Sequence, residues 1–282
     1  ETRGQDSLLV RFEQAGRIEL SALDESGETT SLQTVSYSDT TWALLFNAAE
    51  GSVFQNQQLR QALTGIAREN ADVPSSGLYA AAKGLVPEGL TVDGLDYRET
   101  AGNPLPTIPE PKALYLAARQ GMATSDFSGV TLLLPKNAGL GELADQINSA
   151  WQKECSLFFS VEEVEQDEFD ARIAAGKYTI ALAPIRAEGG SVYQMLQQFT
   201  TAGGSLTGYA DTVYADRLAL SAQQTGKDRC ALLAQCERQL LESCTVVPLM
   251  AQQKRLLLAN GVRDLVFDPF FPVLDLTWAK MS

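Results

Sequence analysis

A strand, a helix and a second strand are predicted to follow one another within residues 130–161. Val130–Leu134 and Leu157–Val161 are apolar runs of strand length, and Gly141–Lys153 between them has the apolar spacing of an amphipathic helix. Two strands joined by one helix form a βαβ unit, in which the strands are parallel and the crossover is right-handed. This segment therefore restricts the chain to an α/β fold.

In the rest of the chain, predicted strands and helices alternate less regularly, which predicts a mixed sheet. The predicted helices are Pro111–Gly121, Asp167–Gly176, Ser191–Phe199, Asp211–Gln223 and Asp228–Cys244. The other predicted strands are Leu8–Phe12, Ile18–Leu23, Thr41–Phe46, Tyr178–Ala183, Thr245–Met250, Arg255–Ala259 and Asp264–Phe267. Pro248 lacks a backbone donor, so its strand is expected to lie at an edge or to contain a bulge. Residues 71–108 are rich in proline and are expected to form a long loop.

The stretch Leu44–Leu90 predicts a passage from a strand into a helix. The helix has an apolar face at i, i+3, i+4 and i+7, formed by Leu59, Ala62, Leu63 and Ile66, and Asn56 precedes it as a predicted N-cap.

Composition excludes several kinds of chemistry. The 282 residues carry a net charge of −13, which disfavours binding to the phosphates of nucleic acid. There is no histidine, so Ser-His-Asp and Cys-His catalytic arrangements cannot form within the chain. The four cysteines form no CxxC pair, so a structural zinc site is not expected; buried thiols are the simplest interpretation, and a disulfide from Cys155 or Cys230 stays open.

Known catalytic and phosphate-binding motifs are absent, and neither a metal site nor a cofactor is predicted. The glycines Gly139 and Gly141 precede a helix but lack the third glycine of a dinucleotide site. The acidic run from Glu162 to Asp170 lacks the glycine and the spacing of a calcium loop, so these residues are expected to form a solvated surface.

The loop after the strand Tyr178–Ala183 is the best candidate for contact with a ligand. It reads Pro184-Ile185-Arg186-Ala187-Glu188-Gly189-Gly190 and so contains a cation, an anion and two glycines. In an open α/β sheet, ligands lie beyond the carboxyl ends of the strands. An ordinary surface loop is an equally weighted alternative.

A series of motifs runs through residues 40–260 in a fixed order. The sequence has Phe46-Asn47 at a strand end, R-Q-A-L at Arg60–Leu63 and G-L-V-P-E-G at Gly84–Gly89. The later pieces are Lys112-Ala113 before Gly121, Phe169 before Gly176-Lys177-Tyr178, Gly208-Tyr209 with Asp216, and Val247-Pro248-Leu249. In this order the motifs resemble those of the family-5 solute-binding proteins of ABC importers, which bind oligopeptides, dipeptides or nickel.

The resemblance implies a fold and a division of the chain. The expected fold class is α/β, the C-lobe of a type II periplasmic-binding protein with a mixed sheet. Residues 1–50 would be strands of the N-lobe and the first hinge crossing, 51–254 the C-lobe, and 255–282 the second crossing and the return to the N-lobe. The crossings are expected near Asn47 and Arg255. Members of that family are commonly much longer and the chain begins at Glu1, so we expect a fragment.

The resemblance also implies a ligand site. The predicted ligand-binding residues are Asn47, Pro184, Ile185, Arg186, Ala187, Glu188 and Tyr209. Arg60 is expected to fix its helix instead of touching ligand. The family often has G-W-x-x-D at the ligand loop, where the Asp takes the amino group of a peptide; this chain lacks both the Trp and the Asp, which leaves Glu188 as the candidate substitute. Thr179 and Arg68 also stand where the family usually has aspartate.

The implied function is capture of a solute, most simply a peptide, by hinge closure, without catalysis. The implied partners are the solute and the permease subunits of an ABC transporter, with no nucleic acid, and the binding protein would be a monomer. The implied location is extracytoplasmic, as a cell-surface lipoprotein or in the periplasm. Two alternatives stay open: a hydrolase that uses paired carboxylates, and a sensory or regulatory module built on the same fold.

Overall fold

The computed structural model describes residues 10–13, 32–73, 78–201, 204–259, 262–263, 266–267, 274–275, 277 and 280–281. All structural statements below concern these residues. The predicted strand Ile18–Leu23 lies outside them.

The helices are α1 (Gln57–Asn70), α2 (Tyr97–Ala101), α3 (Pro111–Ala118), α4 (Gly141–Cys155), α5 (Gln166–Ala174), α6 (Val192–Gln197), α7 (Thr212–Ser221) and α8 (Gly226–Glu242). The strands are β1 (Val10–Glu13), β2 (Leu32–Phe46), β3 (Tyr79–Ala81), β4 (Thr91–Val92), β5 (Leu95–Asp96), β6 (Thr131–Pro135), β7 (Ser160–Val164), β8 (Ile180–Arg186), β9 (Val246–Ala259), β10 (Val262–Arg263), β11 (Val266–Phe267), β12 (Leu274–Asp275) and β13 (Lys280–Met281). No helix in these ranges combines the length and the apolar character needed to span a membrane.

One mixed sheet organises the fold. Its strand order is β1-β9-β2-β8-β6-β7, and β3 pairs with the outer side of β9. Strand β6 is parallel to β7 and to β8, whereas β2 is antiparallel to β8 and to β9. The parallel pair β6–β7 joined by α4 confirms the predicted βαβ unit, and the α/β class with a mixed sheet is confirmed.

Helices cover both faces of the sheet. Along β2, Leu44 and Phe46 pack into a core with α1 and α4, while Ala43 and Leu45 pack into a second core with α8. Successive strand residues point to opposite faces, so one buried strand supplies both cores. This explains why residues 41–46 are apolar almost without interruption and are all buried.

Several boundaries differ from the sequence prediction. Strand β7 begins at Ser160, three residues later than predicted, because the preceding segment is held by a side chain instead of a strand partner. Asn148 donates to the carbonyl of Phe159 at 2.6 Å and accepts from its N–H at 3.0 Å. Strand β2 is also much longer than its predicted segment, and the predicted loop 71–108 contains β3, β4, β5 and α2.

Two local predictions are confirmed, and the structure decides the disulfide state of the cysteines. Asn56 caps α1 by accepting from the N–H of Leu59 at 3.1 Å. Pro248 lies at a bulge, since the β2–β9 register changes between Trp42 and Ala43, the partner of Pro248. All four cysteines are free and buried. Burial is the main reason that the pKa of Cys155 and Cys236 is raised to about 12 and that of Cys244 to about 11.

Candidate functional site

The predicted ligand residues lie at two opposite ends of one pair of strands. In the antiparallel β2–β8 ladder, Thr40 pairs with Arg186 and Phe46 pairs with Ile180. Six steps along a strand span about 20 Å. We call Arg186–Gly190 together with Asp39–Thr40 the open end, and Asn47–Ala49 together with Gly208–Tyr209 the signature end. The structure does not bring Asn47 and Tyr209 together with Pro184–Glu188.

At the signature end, Asn47 serves the fold. Its side-chain amide donates to the carbonyls of Gly176 and Tyr178, both at 2.9 Å, and its Oδ1 accepts from the N–H of Ala49 at 3.0 Å. The backbone next to it bonds to the loop before α7, since Ala48 donates to the carbonyl of Thr207 at 2.8 Å. Asn47 therefore joins the end of β2 to two other segments of the chain.

Tyr209 is engaged in the same region. Its hydroxyl donates to Asp211 at 2.9 Å, and its ring packs edge to face on Tyr214 with 5.7 Å between centroids. Burial, with the hydrogen bond to Asp211, raises the pKa of Tyr209. Gly208 before it has φ +65°, and a Cβ there would lie 2.7 Å from the backbone nitrogen of Ala49. Close packing of two backbones thus explains the glycine of the Gly-Tyr motif, and the contacts with Asp211 and Tyr214 explain the tyrosine.

Arg60 holds the start of α1, as the sequence predicted. Its guanidinium is buried and donates to the carbonyls of Ser243 at 2.9 Å, Phe54 at 2.5 Å and Gln55 at 3.1 Å. Burial lowers its pKa. Three carbonyls from two segments converge on one side chain, so the arginine of the R-Q-A-L motif links the entry to α1 with the exit from α8.

The G-L-V-P-E-G motif surrounds a buried ion pair. Glu237 of α8 is 0% exposed and binds Arg98 at 3.0 Å, the N–H of Val86 at 2.9 Å and the hydroxyl of Tyr97 at 2.9 Å. A Cβ on Gly84 would lie 2.6 Å from a carboxylate oxygen of Glu237. The first glycine of the motif is therefore required by the carboxylate that its own loop encloses.

The open end differs because the two charged side chains of its loop, Arg186 and Glu188, are exposed. Ile185 and Ala187 are buried and Pro184 is half-buried, while Arg186 and Glu188 are exposed. Within the described ranges, neither the guanidinium of Arg186 nor the carboxylate of Glu188 has a hydrogen-bond or ion-pair partner in the fold. The alternation places the apolar residues in the core and presents two opposite charges to solvent at the carboxyl end of β8.

The neighbouring strands end at the same edge of the sheet. Strands β6 and β8 are parallel, so Lys136, which follows β6, lies at the edge where Arg186 ends β8. Lys136 pairs with Glu165 at 2.9 Å, and this hydrogen bond is the main cause of its raised pKa. In the acidic run, Glu162 and Glu168 bind Arg172 at 2.7 and 2.5 Å. Among the described residues no group of three or more His, Cys, Asp or Glu is placed to hold a metal ion.

The sequence prediction missed Asp39 and Lys254. The β2–β9 register changes between Tyr37, which pairs with Lys254, and Thr40, which pairs with Gln252. Two residues of β2, Ser38 and Asp39, therefore stand opposite a single residue of β9, which is a β-bulge. Asp39 binds Lys254 at 2.5 Å across the strands. The only signal in the sequence is the polar pair Ser38-Asp39 in an otherwise strand-like run.

No family model and no curated protein matches this chain. The fold is nevertheless shared with solved structures: the substrate-binding domain of an oligopeptide ABC transporter from Bacillus anthracis has a TM-score of 0.70 at 17% identity over 88% of this chain and 51% of that one. The pheromone receptor PrgZ has a TM-score of 0.71 at 18% identity over 89% and 50%.

A peptide-bound structure has the same fold. Listeria monocytogenes OppA, solved with a bound peptide, has a TM-score of 0.68 at 18% identity over 88% of this chain and 50% of that one. The chain thus spans about half the length of these solved chains. The predicted fold class, an α/β lobe with a mixed sheet like that in the solved substrate-binding proteins, is confirmed.

Proposed function

We propose that this chain belongs to the family-5 solute-binding proteins and forms the C-lobe of a protein that captures a peptide for an ABC importer. The observation that carries the proposal is the open end, where the side chains of Arg186 and Glu188 are exposed and none of the described residues binds them. Support comes from the shared fold, since OppA from Listeria monocytogenes was solved with a bound peptide and a dipeptide-binding protein from Pseudoalteromonas was solved with Met-Leu.

The exposed charges suit the two ends of a short peptide. A guanidinium binds a carboxylate in a bidentate manner, and a carboxylate accepts from an ammonium group. Glu188 is thus proposed to take the amino group that an aspartate takes elsewhere in the family, and Arg186 to take a carboxylate. Pro184, Ile185 and Ala187 shape the loop, and for Asn47 and Tyr209 we propose a structural role in place of ligand contact.

Capture is proposed to involve closure of a second lobe over the open end, with no bond made or broken. Residues 40–254 would form the C-lobe, in place of the predicted 51–254, and residues 1–39 and 255–282 would contribute to the N-lobe. We place the crossing of β2 near Asp39 instead of Asn47, because residues 41–46 are buried inside the C-lobe core. The protein would act outside the cytoplasm, as a monomer, and deliver its solute to permease subunits.

The carboxylate-dependent hydrolase stays the second candidate, but two of the carboxylates near the open end are already engaged, Asp39 with Lys254 and Glu165 with Lys136. A regulatory module on the same fold would be distinguished by a DNA-binding segment in the flanking sequence.

A thermal-shift screen followed by calorimetry tests the proposal. The protein with its native flanking sequence is screened against dipeptides, tripeptides and pentapeptides, with sugars and nickel as controls. We expect stabilisation by peptides alone, and we expect it to be lost in the double variant R186A/E188A. Stabilisation by sugars or nickel alone, or no response to any compound, would contradict peptide capture.

A further inference from the structure

The bulge in β2 places Asp39 in contact with two other segments, the strand β9 and the loop after β8. Its carboxylate binds Lys254 of β9 at 2.5 Å and accepts from the hydroxyl of Thr40 at 2.7 Å. Its backbone carbonyl accepts from the N–H of Ala187 at 2.9 Å. One residue thus connects the β2–β9 ribbon to the first residue of the loop Ala187–Gly190.

We propose that Asp39 is a positioning residue that couples the ligand loop to the β2–β9 ribbon. A change in the ribbon at Lys254 would move the carbonyl that holds Ala187, and with it the backbone that presents Arg186 and Glu188. The functional meaning of this coupling rests on the proposed function, because it would link lobe closure to the shape of the site.

The hydrogen-bond pattern makes the coupling direct. The last paired residues of the β2–β8 ladder are Thr40 and Arg186, and the bond from Ala187 to Asp39 extends this ladder by one residue. The accepting carbonyl belongs to the bulge itself. A bulge leaves its extra residue without a normal strand partner, so the position of that residue depends on its side-chain contacts. For Asp39 those contacts include the ion pair with Lys254 and the hydrogen bond from Thr40.

The ion pair between Lys254 and Asp39 is partly shielded from water, which helps it to hold the position of Asp39. The side chains of Lys254 and Asp39 are 23% and 19% exposed, whereas those of Lys83 and Glu88, which form another close pair, are both 60% exposed. Attraction between charges is weakened by surrounding water, so the Lys254–Asp39 pair is expected to hold its geometry more firmly than the surface pair. The pair Lys83–Glu88 therefore provides a matched control.

Hydrogen exchange of single amides, followed by NMR on the 282-residue chain, tests the coupling. In Lys254→Met the exchange rate of the Ala187 amide is expected to rise by about 3- to 10-fold. The Asn47 amide, bonded to Thr179 at 3.0 Å at the other end of the ladder, is expected to keep its rate. Lys83→Met is expected to change neither rate, and the exchanged pair D39K/K254D is expected to restore protection of Ala187.

Three results would overturn the coupling: an unchanged rate at Ala187 in Lys254→Met, an equal acceleration at Asn47, which would indicate general destabilisation, or no recovery in the exchanged pair. If Lys254→Met does not fold, Lys254→Gln is used with the same criteria. The experiment contains no peptide, so the two proposals fail separately. A negative peptide screen would count against the proposed function and leave the coupling standing. An unchanged exchange rate at Ala187 would count against the coupling and leave the proposed function standing.

Discussion

The signature end and the loop Arg186–Gly190 of the open end lie at opposite ends of the same two strands, and their polar side chains are used in opposite ways. At the signature end, the polar side-chain groups of Asn47 and Tyr209 form hydrogen bonds within the fold. At the open end, the side chains of Arg186 and Glu188 are exposed, and none of the described residues binds them. The difference separates residues that build the lobe from residues that are available to a ligand.

The motifs that carry the family resemblance fall on the structural side of this division. Arg60 ties together two backbone segments, and Gly84 leaves room for the carboxylate of Glu237. The loop at the open end departs from the family pattern. A motif that the fold requires can be recognised in a divergent chain, whereas a loop that we propose to meet the ligand is free to change with it.

The largest effect is expected where a signature motif encloses buried charge. Glu237→Ala would leave Arg98 buried without its partner and remove the acceptor of Val86 and Tyr97, so unfolding free energy should fall by about 3–5 kcal/mol. Urea denaturation measures this value. Glu242→Ala, exposed on the same helix, is the control and should change it by less than about 0.5 kcal/mol.

The comparison between the two ends is sharpened by two arginines. Arg60→Met should lower the unfolding free energy by about 2–4 kcal/mol, because three carbonyls lose a charged donor inside the protein. Arg186→Met should change it by less than about 0.5 kcal/mol, since its side chain is exposed. Similar losses in the two variants would remove the distinction between the ends.

A smaller effect is expected at Gly84. An alanine there would push its Cβ against Glu237, so Gly84→Ala should destabilise the protein by about 1–3 kcal/mol. In the control, Gly141→Ala, the nearest atom, Oε1 of Glu163, is 3.6 Å from the added carbon. Gly141 is the first residue of α4, where the helix preference of alanine is weak, so the control should change stability by less than about 0.5 kcal/mol. Thermal melts of both variants compare them, and a stable Gly84→Ala would contradict the packing argument.

The smallest effect concerns pH at the signature end. Burial raises the pKa of Asp211, but hydrogen bonds from Tyr214, Tyr209 and Gln239 outweigh it and hold the pKa below its ordinary value of 3.8. A carboxylate whose pKa is lower in the folded state stabilises the fold at pH values above its pKa in the unfolded state. This contribution is lost as the pH falls through the pKa of the folded state. Asp211→Asn should therefore be slightly destabilised at neutral pH and should approach the parent below the ordinary value. Urea titrations at several pH values measure the difference; a constant difference would contradict this assignment.

The sequence predicted the architecture well because the spacing of apolar residues indicates which face of each element is buried. The apolar run before Asn47, the amphipathic α4 and the parallel β6–β7 pair all follow from the spacing of apolar residues. The start of β7 was predicted too early, because Leu157 and Phe159 are as apolar as strand residues while Asn148 holds their backbone outside the ladder. Apolar spacing cannot reveal that kind of support.

The candidate site was predicted in part. The loop Pro184–Glu188 was found from the position of its strand, but the distance of Asn47 and Tyr209 from it depends on the direction of β2. An antiparallel partner turns the end of one strand toward the beginning of the other, and the sequence alone does not specify that pairing. Asp39 was missed because its contacts arise from a bulge, and two ordinary polar residues in a strand give no distinct signal of one.

Hydrogen exchange in the presence of a bound peptide tests the division between the two ends most directly. The protein with its native flanking sequence is compared with and without a peptide selected by the thermal-shift screen, and exchange is followed by mass spectrometry along the chain. The account predicts slower exchange at Arg186–Gly190 and Asp39–Thr40, with no change at Asn47–Ala49 and Gly208–Tyr209. Protection confined to the signature end would contradict it.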